Sequence, residues 1–125
     1  MRRINVTPLV EAAGIKFGTD RETVRKQLGD YTEFQKTDFS SNTTDDFGFC
    51  HVYYDEENKF EAIEIFDAEV YIGETKVFPI PVEELEKLID DLDDELISIE
   101  RSIGVYAPDD DEPECILFGV KGYYE

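Results

Sequence analysis

The stretch that decides the fold runs Phe47-Gly48-Phe49-Cys50-His51-Val52-Tyr53-Tyr54, then Asp55-Glu56-Glu57-Asn58-Lys59, then Phe60-Glu61-Ala62-Ile63-Glu64-Ile65-Phe66. Two runs rich in aromatic and β-branched residues flank five polar ones, the pattern of an antiparallel hairpin with a longer loop. Neighbouring side chains on a strand point to opposite faces, so Cys50, Val52 and Tyr54 share one face with Ile63 and Ile65. The other face then holds Phe49, His51, Tyr53, Phe60, Glu64 and Phe66. Both faces carry large apolar groups. One is therefore expected under helices and the other under more chain or a partner.

Upstream, Ile4 to Phe17 is ambiguous: Thr7-Pro8 either opens a short helix ended by Gly14 or interrupts an edge strand. Thr19-Asp20-Arg21-Glu22 reads as a capping box in which Thr19 caps and Glu22 reaches back. A short helix follows, with Val24 and Leu28 on its buried face, Arg21, Arg25 and Lys26 on the other, and Gly29 as its stop. Tyr31 to Lys36 reads as a short strand and Thr37 to Asp46 as an exposed loop. Downstream, Glu69 to Ile72 and Lys76 to Ile80 read as strands extending the same antiparallel sheet. Val82, Leu85, Leu88, Ile89 and Leu92 form one apolar stripe, predicting an acidic amphipathic helix over about 81–93. Its solvent face carries Glu83, Lys87, Asp90 and Asp94. Leu96 to Ile99, Ile103 to Ala107 and Cys115 to Val120 read as further strands. The expected class is α+β, a largely antiparallel sheet with both helices packed on it.

The chain has 125 residues, the size of one domain, and residues 1–125 are read as a single domain. No apolar run approaches the roughly 18 residues of a membrane span, and Met1-Arg2-Arg3-Ile4-Asn5-Val6-Thr7-Pro8 lacks a signal-peptide core, so a cytoplasmic location is expected. Charge is the dominant feature: 12 basic against 31 acidic residues, a net of −19. Residues 1–37 hold seven basic side chains against five acidic. The remainder holds five against 26, a net of −21. Nucleic-acid affinity is built from cationic contacts to phosphate, so such a chain is not expected to bind DNA or RNA directly. A field of this sign attracts basic proteins, unless the acidity serves solubility alone.

The chemistry-bearing residues are few. Cys50 and Cys115 lie in apolar strand-like runs rather than in a metal-binding pair, and read as reduced, buried thiols. His51, the only histidine, follows Cys50 directly, yet adjacent strand residues face opposite sides and cannot act as nucleophile and base. Asp46-Phe47-Gly48 spells a kinase triplet without the other kinase signatures. One histidine leaves zinc and redox metals short of ligands. Asp55-Glu56-Glu57-Asn58 and Asp109-Asp110-Asp111-Glu112 offer oxygen donors but not the spacing of a calcium loop, and read as solvated loops. No metal or cofactor is expected.

Gly14-Ile15-Lys16-Phe17-Gly18-Thr19, Val24, Leu28-Gly29, Asp46-Phe47, Tyr53-Tyr54-Asp55 and Glu61-Ala62-Ile63-Glu64 together resemble a group of small bacterial proteins similar to the immunity proteins of polymorphic-toxin systems. That resemblance covers about residues 14–66 and implies a protein that binds and neutralises a toxin, with no site residue carried over. More remotely, a short helix ending in Leu28-Gly29 before antiparallel strands is similar to the helix-plus-sheet unit of β-lactamase-inhibitor proteins and outer-membrane assembly lipoproteins. Unlike the lipoproteins, the chain is expected to carry no signal peptide or lipidation cysteine.

Charge and resemblance lead to one expectation: a non-catalytic acidic binding protein, an immunity or inhibitor protein for a basic, toxin-like partner, monomeric or homodimeric. Its candidate binding residues are Glu83, Asp90 and Asp94 on the acidic helix with His51, Tyr53, Glu64 and Tyr71 on the sheet. The alternatives are a small enzyme or ligand-binding protein using the aromatic face around His51, and a subunit that self-associates through that face.

Overall fold

The computed structural model describes residues 1–35, 37, 42–109 and 111–125. The hairpin lies at its centre: β6 (Cys50–Tyr54) and β7 (Phe60–Ile65) pair antiparallel, Cys50 opposite Ile65 and Val52 opposite Ile63. The register shifts between Tyr53 and Tyr54, which sets Tyr54 opposite Phe60 and leaves Glu61 as the extra residue of a bulge. Phe60 is thereby moved from the face that strict alternation assigns to it and is buried in the core at 1% exposure. Phe49, just ahead of β6, also turns into the core.

Around the hairpin the strands form two sheets rather than the single one expected. In chain order they are β1 (Arg3–Thr7), β2 (Glu11–Ala12), β3 (Ile15–Lys16), β4 (Thr32–Phe34), β5 (Thr44–Asp46), then β6 and β7, β8 (Glu69–Ile72), β9 (Thr75–Phe78), β10 (Ile97–Ser98), β11 (Ile103–Tyr106) and β12 (Cys115–Gly119). The larger sheet has the order β10, β11, β12, β7, β6, β5, β4 and is antiparallel throughout. The smaller has the order β3, β2, β1, β8, β9, and its central pair, β1 with β8, is parallel. Ile4 to Phe17 therefore contains three strands and no helix. Thr44 to Asp46, expected in a loop, is a strand, while 38–41 of that loop and Lys36 lie outside the described residues.

Helix α1 (Arg21–Leu28) ends at Gly29, whose φ of 96° suits glycine and whose amide bonds to the Arg25 carbonyl. Its cap is Asp20, not Thr19: the Asp20 carboxylate accepts from the Thr23 amide and hydroxyl, whereas the Thr19 hydroxyl donates to the Lys16 carbonyl. Glu22 turns forward to Arg25 at 3.5 Å instead of back to a cap. Helix α2 covers Val82–Leu88, well short of 81–93. Continuing would stack Asp90, Asp91, Asp93 and Asp94 on the negative end of the helix dipole. Instead Asp91 accepts from Ser98 and Arg101, and the Asp93 carboxylate folds the chain by accepting the amides of Glu95 and Ile97. The predicted stripe is cut with it: Val82, Leu85 and Ile89 are buried, but Leu88 is 46% exposed.

Both sheets and both helices share one core, with Ile4, Val6 and Val70 from the smaller sheet, Val52, Ile63, Ile116 and Phe118 from the larger, Val24 from α1 and Leu85 from α2. The fold is α+β, and the described residues form two helices and two mostly antiparallel sheets. No described helix is long and apolar enough to cross a membrane.

Candidate binding surface on the large sheet

The face of the large sheet turned away from the core is built by register. Thr32, Asp46, His51, Glu64, Leu117, Gly104 and Ile97 stand directly opposite one another in a row across all seven strands. His51 is thus set between two carboxylates, its Nε2 3.6 Å from Asp46 and its Nδ1 3.6 Å from Glu64. Its ring also lies between two others, Phe34 of β4 at 5.0 Å and Phe66 beyond β7 at 4.9 Å. Phe34 and Phe66 are 36% and 37% exposed, which leaves an open aromatic patch with acidic neighbours.

Towards the other edge the same face is closed by the chain itself. Tyr123 and Tyr124 pack on Tyr53, Ala62 and Leu117. Glycine makes this possible: a Cβ on Gly104 would lie 2.0 Å from the Tyr124 hydroxyl, and one on Gly119 2.7 Å from the Tyr123 ring. Tyr53 is consequently buried rather than available at the surface, and its hydroxyl donates to Glu64 at 3.1 Å. Cys115 is half-buried, and burial together with the Glu64 charge pushes its thiol up to about 12. Burial likewise pushes Cys50 up to about 12, on the core side of β6. Cys50 and His51 do point to opposite faces, one inward and one outward.

The other expected site residues scatter. Tyr71 is on the smaller sheet, its ring covered by the Arg3 guanidinium at 3.7 Å. Glu83 is exposed on α2, and Asp90 and Asp94 are exposed beyond its end. Asp90 is reached by Arg101 at 3.3 Å, so that part of the acidic surface does have a cation. Further along, a cleft of about 470 Å³ between the 92–96 segment and β11 is rimmed by Glu86, Asp93, Asp94 and Glu95. None of these four makes an ion pair among the described residues. Val105 lies in its floor and Tyr106, 58% exposed, stands at its side.

A second polar cluster was not foreseen. Asp45, fully buried on β5, accepts from Arg21 at 2.8 Å, from Arg25 at 2.8 and 2.9 Å, and from the Tyr54 hydroxyl at 2.8 Å. Arg21, expected on the solvent face of α1, is 8% exposed and stacks on Tyr54. Burial would raise the Asp45 carboxyl, but the bonds from Arg25, Arg21 and Tyr54 outweigh it and hold the group below the ordinary carboxylate range. With its lone pairs engaged by four donors, Asp45 pins α1 to the sheet and has no free capacity as a base. The only legible signal was the presence of two arginines four residues apart on α1. Their partner sits 20 and 24 residues away in a stretch with loop composition.

No family model matches the chain, and no curated protein or solved structure matches it significantly.

Proposed function

We propose that the chain is an acidic, non-catalytic binding protein that captures and neutralises a basic protein partner, in the manner of an immunity or inhibitor protein. The observation that carries this reading is the way charge is spent. Arg21 and Arg25 are committed to Asp45, Arg101 to Asp90 and Asp91, and Lys76 to Glu69, while Arg2 and Arg3 lie over Phe49 and Tyr71. Among the described residues, ion pairs thus engage four of the twelve basic side chains and rings hold two more, and the carboxylates around the cleft beside Tyr106 keep their field for a visitor. A second copy of the chain is a poor visitor, since each copy carries −19.

The absence of catalysis in this reading is supported by the chemistry of the candidate groups. Cys50 is a buried thiol facing away from His51, and Asp45 is saturated by its four donors.

The test is binding kinetics with the product of the adjacent reading frame, with relief of that product's toxicity as the biological readout. Association is expected to slow by roughly tenfold or more between low and physiological salt, and again in the charge reversal Asp94→Lys with Glu95→Lys. An association rate indifferent to both would overturn the reading and leave the acidity as a solubility device.

A further inference from the structure

Resting on that reading, we infer that the open part of the large sheet's outer face, Phe34, His51 and Phe66 with Asp46 and Glu64, is the seat for an arginine side chain of the basic partner. The chain itself displays the interaction four times. Its own arginines lie over aromatic rings at Phe49 (3.9 Å), Tyr71 (3.7 Å), Tyr54 (4.3 Å) and Tyr31 (4.1 Å). Two of those arginines, 21 and 25, are paired with the Asp45 carboxylate at the same time. Phe34 and Phe66 flank His51, which stands between Asp46 and Glu64, and among the described residues no arginine or lysine lies over either ring. Asp46 accepts the Gly48 amide and Glu64 the Tyr53 hydroxyl, and each carboxylate keeps further lone pairs for a guest.

Register explains why the bed is complete without its guest. Direct cross-strand pairing fixes Asp46 and Glu64 on either side of His51, and the phenylalanine rings continue the row of π surfaces outward. A guanidinium is planar, so it can lie on a ring face while its edge meets a carboxylate in a two-pronged contact. An ammonium, a strongly hydrated point charge, gains less from the ring. Arginine is thus the expected anchor in preference to lysine. A second copy docking on this face would bring another chain of net charge −19 against Asp46 and Glu64.

The experiment is a residue-resolved NMR titration of the intact chain at low salt with tetra-arginine and tetra-lysine amides. The tetra-arginine peptide is expected to shift Phe34, His51 and Phe66. The double variant Phe34→Leu, Phe66→Leu keeps apolar bulk but removes both rings, and is expected to weaken tetra-arginine binding roughly three- to fivefold with little change for tetra-lysine. Perturbation confined to the cleft beside Tyr106, or an equal loss for both peptides, would overturn the inference while leaving the basic-partner reading in place. Concentration-dependent shifts at Phe34 and Phe66 without peptide would assign the face to a second copy and overturn it too. Silence from both peptides everywhere would bring down inference and reading together.

Discussion

Asp45 shows how one side chain can hold an element in place. Buried at 0% exposure, it exchanges hydration for hydrogen bonds from Arg21, Arg25 and Tyr54. Replacing it by asparagine would leave two poorly exposed guanidinium groups facing a neutral amide, an uncompensated charge problem that costs roughly 3–5 kcal/mol in comparable buried pairs. Urea unfolding of Asp45→Asn is expected to show a loss of that order. The sign of the pH effect follows from the direction of its shift. The folded-state pKa is lowered below an unfolded value of about 3.9, so the stabilisation is fully present above that value. It is lost as pH falls through the folded-state pKa. The wild-type chain should therefore lose stability across that acid range more steeply than Asp45→Asn, and unfolding midpoints measured at several acidic pH values check this.

The start of α1 and the end of α2 are set by side chains rather than by periodicity. In α1 the cap is Asp20, which satisfies the Thr23 amide and is itself held in its charged form by the Thr23 hydroxyl. Asp20→Ala is expected to cost about 1 kcal/mol, while Glu22→Ala, at a residue that reaches no cap, should stay within about 0.5 kcal/mol. Chemical denaturation of the two variants side by side separates them, and the reverse order would restore Thr19 and Glu22 as the capping pair. In α2 the apolar period runs on past Leu88, but the aspartates that follow find better partners off the helix, in Ser98, Arg101 and the amides of residues 95 and 97. Hydrophobic spacing matches the burial of Val82, Leu85 and Ile89 but not the exposure of Leu88, and the acid run sets where the helix stops.

At the scale of the whole molecule, a net charge of −19 makes the folded chain repel itself, because folding brings together carboxylates that an unfolded chain keeps apart. Screening relieves this. Added sodium chloride up to physiological strength is expected to stabilise the fold by about 1 kcal/mol, a rise of a few degrees in Tm, read by circular dichroism melts over a salt series. A Tm that falls with salt would mean that favourable pairs such as Arg101 with Asp90 and Asp91 outweigh the repulsion. The same field that weakens the fold is what the proposed function uses to draw in a basic partner. Salt is therefore expected to act in opposite directions on stability and on association.

Much of this architecture could be read locally. The hairpin, its five-residue turn and the inward set Cys50, Val52, Tyr54, Ile63 and Ile65 follow from a two-residue period bounded by polar residues, and the strands at 69–72, 103–106 and 115–119 follow from the same pattern. Gly29 as a helix stop and the opposed faces of Cys50 and His51 are equally local facts. Pairing across the chain was not legible, because a strand's own pattern says which face is apolar but not which strand lies beside it. Hence the second sheet, the parallel contact of β1 with β8, and the placing of Phe34 against His51 emerge only in three dimensions. The same holds for single residues whose fate depends on a distant partner. Phe60 is turned inward by a bulge, Arg21 is buried by an aspartate 24 residues away, and Tyr53 is covered by tyrosines that settle where Gly104 and Gly119 leave room.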